Sequence, residues 1–132
     1  MLVAGTFSWM GQLNPRAQAV YERMAKGFDL KSPADLKIPS GTANAYDGVY
    51  IIKAALEKAG SFDRTKFRDA LFQVEYDGIV TTYHPAFEKA KPGFAHPQER
   101  YDAIKAESYA LLAFHNGVLL PIDQTPYAHK KS

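Results

Sequence analysis

Cysteine is absent from this chain of 132 residues, so neither a disulfide scaffold nor a thiolate metal site can be built from it. That absence is silent on compartment. No apolar run approaches the ~18 residues that a membrane-spanning helix needs. Charge of one sign is also lacking: 16 Lys and Arg against 14 Asp and Glu leave a formal net charge of +2. The basic residues are scattered, and the one short run, His129-Lys130-Lys131, reads as a solvated end, so nucleic acid is not an expected partner. Met1 to Met10 has neither a basic n-region nor a small-residue cleavage site and does not read as a signal peptide; any export signal is expected upstream. What is present is ordinary for a folded domain. Hydrophobic residues make up 46% and charged residues 23%, a balance that argues against disorder in a chain long enough to bury a core.

The most informative stretch runs from Thr42 to Gly60. Ala45, Val49, Ile52 and Leu56 recur at helical spacing, which predicts an amphipathic helix over 43–59 with this stripe buried against a sheet. Tyr46, Tyr50 and Ile51 widen it. Thr42 is the expected N-cap, and Gly60 the left-handed residue that ends the helix. Upstream, Leu2 to Ser8 reads as a short strand (2–7) running into a loop at Trp9. Asn14-Pro15 is a helix start, with Asn as cap and Pro in the first turn, and predicts a helix over 15–27 with Ala17, Val20 or Tyr21, Met24 and Phe28 on one face. Lys31 to Ser40 carries two prolines and reads as a loop.

Asp63 is the expected cap of a third helix, 64–73, which buries Phe67, Leu71 and Val74. The β-branched run Gly78-Ile-Val-Thr-Thr-Tyr83 predicts a strand. His84 to Tyr101, with three prolines, reads as a long irregular loop. Strands at 108–114 and 118–121 flank Asn116-Gly117, the pair favoured in type I′ hairpin turns. Residues 124–132 read as a loose tail.

The order of these pieces, together with Ala45-Tyr46-Asp47, the Ala59-Gly60-Ser61-Phe62-Asp63 turn and the Tyr109 to Gly117 segment, resembles the late part of the type I periplasmic solute-binding receptors. These are the leucine/isoleucine/valine-binding kind that serve ABC importers. The resemblance covers roughly residues 2–123 and implies an α/β chain with a partial periplasmic-binding-protein-like fold, helices packed on a small sheet plus a C-terminal β-hairpin. It implies that residues 1–77 belong to one receptor lobe, that 78–83 is a hinge crossing, and that 78–123 finishes the other lobe. Receptors of this family are much longer, so the resemblance implies a C-terminal fragment. It also implies a periplasmic location, an amino acid or related small carboxylate as ligand, and the membrane subunits of an importer as partners of the whole receptor.

Candidate site residues follow from the same resemblance. Gly41, Thr42, Ala43 and Asn44, at the start of the central helix, are the expected ligand contacts, because first-turn amides and the helix dipole suit a carboxylate. Tyr46 reads as a core aromatic with a secondary claim to the ligand. Asp47 serves the dipole and offers a carboxylate to an ammonium group. Trp9 is divided evenly between stacking on a ligand and packing. Catalysis has no sequence support: His84, His96, His115 and His129 show no metal-ligand spacing, no nucleophile motif or phosphate loop is present, and no cofactor is expected. The alternatives to a receptor are a self-associating remnant without ligand and an α/β small-molecule sensor domain. The apolar residues around the central helix exceed one face, and a homo-oligomer is expected from them, with exchange of the terminal hairpin as the route.

Overall fold

The computed structural model describes residues 1–89 and 102–128. Among these residues the chain is mixed α/β, with three α-helices and small antiparallel sheets. Two compact units form: residues 1–43 with the chain from 107 onward, and residues 44–106. The contacts divide the chain at 43/44 and 106/107.

In the first unit, β1 (Leu2–Gly5), β4 (Ala110–His115) and β5 (Val118–Pro121) form an antiparallel sheet in the order β1-β4-β5. The β4–β5 hairpin turns where the sequence places it. Asn116 and Gly117 take φ of 50° and 77°, the left-handed pair that a type I′ turn requires. Helix α1 (Pro15–Phe28) begins as expected, with Asn14 Oδ1 accepting from the Ala17 amide at 2.8 Å. Ala17 and Val20 are buried, but Phe28 is 77% exposed, because the chain leaves the helix through left-handed Asp29 and turns the last residue outward. The chain after β5 is not loose up to residue 128. A 3-10 turn, Ile122–Gln124, follows, Thr125 is buried, and the Gln124 side chain binds the backbone of Gln12 on both its amide and its carbonyl.

Helix α2 spans Pro39–Ala59, four residues longer at its start than expected. Pro39 opens it, since proline at the first position forfeits no hydrogen bond. Thr42 is consequently not the cap: its amide and its hydroxyl both donate to the carbonyl of Ile38, at 2.9 and 2.8 Å. At the far end Gly60 closes the helix with φ 56°, as predicted.

The second unit holds most of α2, α3 (Arg64–Leu71) and the short strands β2 (Tyr76–Asp77) and β3 (Thr82–Tyr83). Asp63 caps α3 as expected, accepting from the amides of Thr65 and Lys66. Ile51, Ala55, Ala70, Val74, Tyr83 and Ala86 form the core. The buried face of α2 differs from the expected one. Ala43, Asp47, Ile51 and Ala55 face inward, whereas Ala45 is exposed and Val49 and Ile52 are 63% and 50% exposed. A carboxylate in the middle of the true stripe disguised it. Of the expected strand at 78–83 only Thr82 and Tyr83 are extended, as β3: Gly78 to Thr81 is a turn between β2 and β3, closed by the Gly78 amide on the Thr81 carbonyl at 3.0 Å.

Candidate functional site

Of the seven candidate residues, Trp9, Gly41, Thr42 and Ala43 fall in the first unit and Asn44, Tyr46 and Asp47 in the second. In the first unit the geometry gathers two segments thirty residues apart. The indole N–H of Trp9 donates to the carbonyl of Pro39 at 2.9 Å, so the loop after β1 is tied to the first turn of α2. Trp9 is itself buried, edge-on to Phe7 with ring centroids 4.9 Å apart and tilted against Tyr21 on α1. Its ring braces the wall; it is not an open stacking surface. Ala43 is buried, and the Thr42 amide is already engaged with Ile38. The first-turn positions that remain for an anion are Ser40 and Gly41, whose amides precede the first intrahelical donor.

A cavity of about 260 Å³ opens beside this junction, lined among others by Phe7, Ser8, Met10, Ser40, Phe114 and Leu119. The Ser40 hydroxyl donates to the Phe7 carbonyl at 3.0 Å, and the Ser8 hydroxyl donates to the Leu119 carbonyl at 2.9 Å while accepting from the Met10 amide. Both hydroxyl protons therefore hold the walls together, and the Ser40 oxygen keeps lone pairs for a donor. Ser8 and Ser40 are not among the residues named from sequence. The signal for Ser40 was there: it follows Pro39, a residue suited to the first position of a helix.

In the second unit Asp47 is fully buried and its carboxylate is committed to the β2–β3 turn. One oxygen accepts from the Ile79 amide at 2.9 Å; the other accepts from the Val80 amide at 2.9 Å and the Tyr83 hydroxyl at 3.2 Å. Gly78 leaves the room for this approach, since a Cβ there would sit 2.3 Å from Asp47 Oδ2. Asp47 thus anchors the turn, its buried carboxylate accepting three hydrogen bonds from it. Burial, and then the adjacent Asp47 carboxylate, push the Tyr83 phenol well above the ordinary tyrosine value. A raised value means that the folded state favours the neutral phenol. Its stabilisation is complete below pH ~10 and is lost as pH rises through the folded value. In an alkaline absorbance titration Tyr83 is expected to ionise late and together with unfolding of this unit. Eight tyrosines ionising in one step near pH ~10, with the core intact, would contradict the burial of Tyr83.

Tyr46 joins a run of rings: its centroid lies 4.8 Å from that of Tyr50, which stacks on Tyr76 at 5.9 Å, and Tyr76 in turn stacks on Tyr83 at 6.3 Å. Asn44 lines a second cavity of about 390 Å³ with Ile51, Ile52, Phe67, Leu71 and Phe87, an almost wholly apolar surface. Among the described residues no group of three or more His, Asp or Glu is placed to hold a metal ion, and no helix is long and apolar enough to cross a membrane. His96, His129 and most of the expected 84–101 loop lie outside the described residues. Comparison with protein-family models, with curated proteins and with solved structures finds no match to this chain.

Proposed function

We propose that this chain is part of a small-molecule receptor resembling the type I periplasmic solute-binding proteins, a binding module and not an enzyme, with its share of the ligand site at the start of α2. The observation that carries this reading is the Trp9–Pro39 bond, which joins the loop after β1 to the first turn of the longest helix beside an open cavity. The chemistry around that junction matches an amino acid. Helix-start amides at Ser40 and Gly41 favour a carboxylate, the Ser40 oxygen accepts from an ammonium group, and Phe7, Met10, Phe114 and Leu119 receive an aliphatic or aromatic side chain. The order of strand, proline-started helix, long helix, short helix and terminal Asn-Gly hairpin supports the same family. On this reading the whole receptor is periplasmic and delivers its ligand to the membrane subunits of an ABC importer.

Trp9, the single tryptophan, reports on the site. Titration with L-leucine, L-phenylalanine or the corresponding 2-hydroxy acids is expected to give a saturable change in its fluorescence, and Ser40→Leu, which fills the cavity, abolishes it. Absence of any change in the native chain, or an unaltered change in the variant, would overturn this assignment.

A further inference from the structure

The chain holds three asparagines, Asn14, Asn44 and Asn116, and their settings differ in one chemical respect. An asparagine loses its side-chain amide when the backbone nitrogen of the next residue attacks its side-chain carbonyl carbon. That nitrogen must carry a proton, be unengaged and be unhindered. Asn14 is followed by Pro15, which has no N–H, and its Oδ1 is held by the Ala17 amide. Asn44 is followed by Ala45 inside α2, where each amide donates to the carbonyl four residues back. Asn116 is followed by Gly117 at the exposed tip of the β4–β5 hairpin. The ladder closes on His115 and Val118, and a two-residue turn leaves the Gly117 amide outside it. Gly117 has no side chain to obstruct the approach, and nothing lies within 4 Å of where its Cβ would sit. A second group stands at the bond to be broken. His115 Nε2 lies 3.3 Å from Asn116 Nδ2, the leaving nitrogen, and its ring is set edge-on to Tyr127 with centroids 6.1 Å apart. An imidazole so placed supplies the proton that lets an amide nitrogen depart as ammonia.

We propose that Asn116 is a self-modification site, at which Asn116 and Gly117 close to a succinimide with His115 as proton donor, and water opens the ring to isoaspartate and aspartate. In the first step the Gly117 nitrogen bonds to Asn116 Cγ and gives its proton to solvent. The Cγ–Nδ2 bond breaks with its electron pair on nitrogen, which takes a proton from His115 and leaves as ammonia. In the second step water adds to one of the two ring carbonyls and the bond from that carbon to the ring nitrogen breaks. Attack at the main-chain carbonyl gives isoaspartate, and attack at Cγ gives aspartate; nothing is oxidised or reduced. Isoaspartate adds a methylene to the backbone, which a two-residue turn does not accommodate, so the closing pair of His115 and Val118 loosens. Both products place a new negative charge next to Gly117 and Val118, which line the cavity of about 260 Å³. Conversion therefore changes one wall of that cavity.

Incubation of the intact chain in neutral buffer at physiological temperature for several weeks, with peptide mapping by tandem mass spectrometry at intervals, tests the proposal. Asn116 is expected to convert, with isoaspartate exceeding aspartate, while Asn14 and Asn44 stay intact. His115→Leu, with an unchanged far-ultraviolet spectrum, slows the conversion roughly tenfold, less than the ~10²-fold that a general acid supplies in an enclosed site. Imidazole added to the buffer restores part of the rate in this variant, which a purely structural role for His115 would not allow. An Asn116 that stays intact, or is lost no faster than Asn44, overturns the proposal. So does a His115→Leu chain that reacts at the native rate.

Discussion

Asp47→Ala is expected to destabilise the second unit by about 3–5 kcal/mol, since it orphans two backbone amides at ~1–3 kcal/mol each and leaves a buried phenol without its acceptor. Native domains hold only about 5–15 kcal/mol in total, so the unit is left marginal or unfolded. Ile79, now 2% exposed, loses the bonds that hold it in the core, and the stacked Tyr76 and Tyr83 rings lose their support. The comparison that isolates burial is Asp35. Its carboxylate also accepts two backbone amides, those of Lys31 and Ser32, and these bonds hold its carboxyl below the ordinary value. Asp35 is exposed, however, so water replaces the carboxylate when it is removed. Denaturant unfolding followed by tyrosine absorbance is expected to show a large loss for Asp47→Ala and a midpoint nearly unchanged for Asp35→Ala. Equal effects would mean that the Asp47 anchor is not a buried one.

Two glycine substitutions are expected to move stability in opposite directions. Gly78→Ala places a methyl 2.3 Å from Asp47 Oδ2 and 2.7 Å from the Thr81 carbonyl oxygen, and both are fixed by the turn. Overpacking against atoms that cannot yield costs ~2–3 kcal/mol. Gly48 lies inside α2 with nothing within 4 Å of where its Cβ would sit. Alanine there removes the entropic handicap of glycine in a helix and stabilises by ~0.5–1 kcal/mol. Thermal melts of the two variants beside the native chain check the signs. A stable Gly78→Ala would show that the turn does not close on Asp47.

Local chemistry was the legible part of this sequence. Asn14, Asp63, Gly60 and Asn116-Gly117 each act where their side chains or backbone preferences put them, because a cap or a type I′ turn is decided within four residues. The long-range part was misread at Asp47. A carboxylate amid apolar residues looks like a solvent-facing position, which made Ala45, Val49 and Ile52 the apparent core stripe. Only the turn at 78–81, more than thirty residues away, supplies the amides that make burial of Asp47 favourable. The same contact explains why the expected strand at 78–83 is extended only at Thr82 and Tyr83: β-branched residues favour extended pairing, but the amides of Ile79 and Val80 point at a carboxylate. At the candidate site the sequence pointed to the loop of Trp9 and to the start of α2, two segments that the Trp9–Pro39 bond holds together. Ser8 and Ser40, which line the cavity, were not named: nothing local marks Ser8, and Ser40 was read with its proline as the end of a loop.

One ¹⁵N correlation spectrum, recorded while L-leucine is titrated into the chain, separates ligand binding at the start of α2 from the structural role of Asp47. If ligand enters at the start of α2, the amides of Ser8, Trp9, Ser40 and Gly41 shift together and saturably, while those of Ile79 and Val80, held by Asp47, stay where they are. Shifts confined to Ile79, Val80 and the residues around Asp47, with the Ser8 and Ser40 amides unmoved, would contradict it.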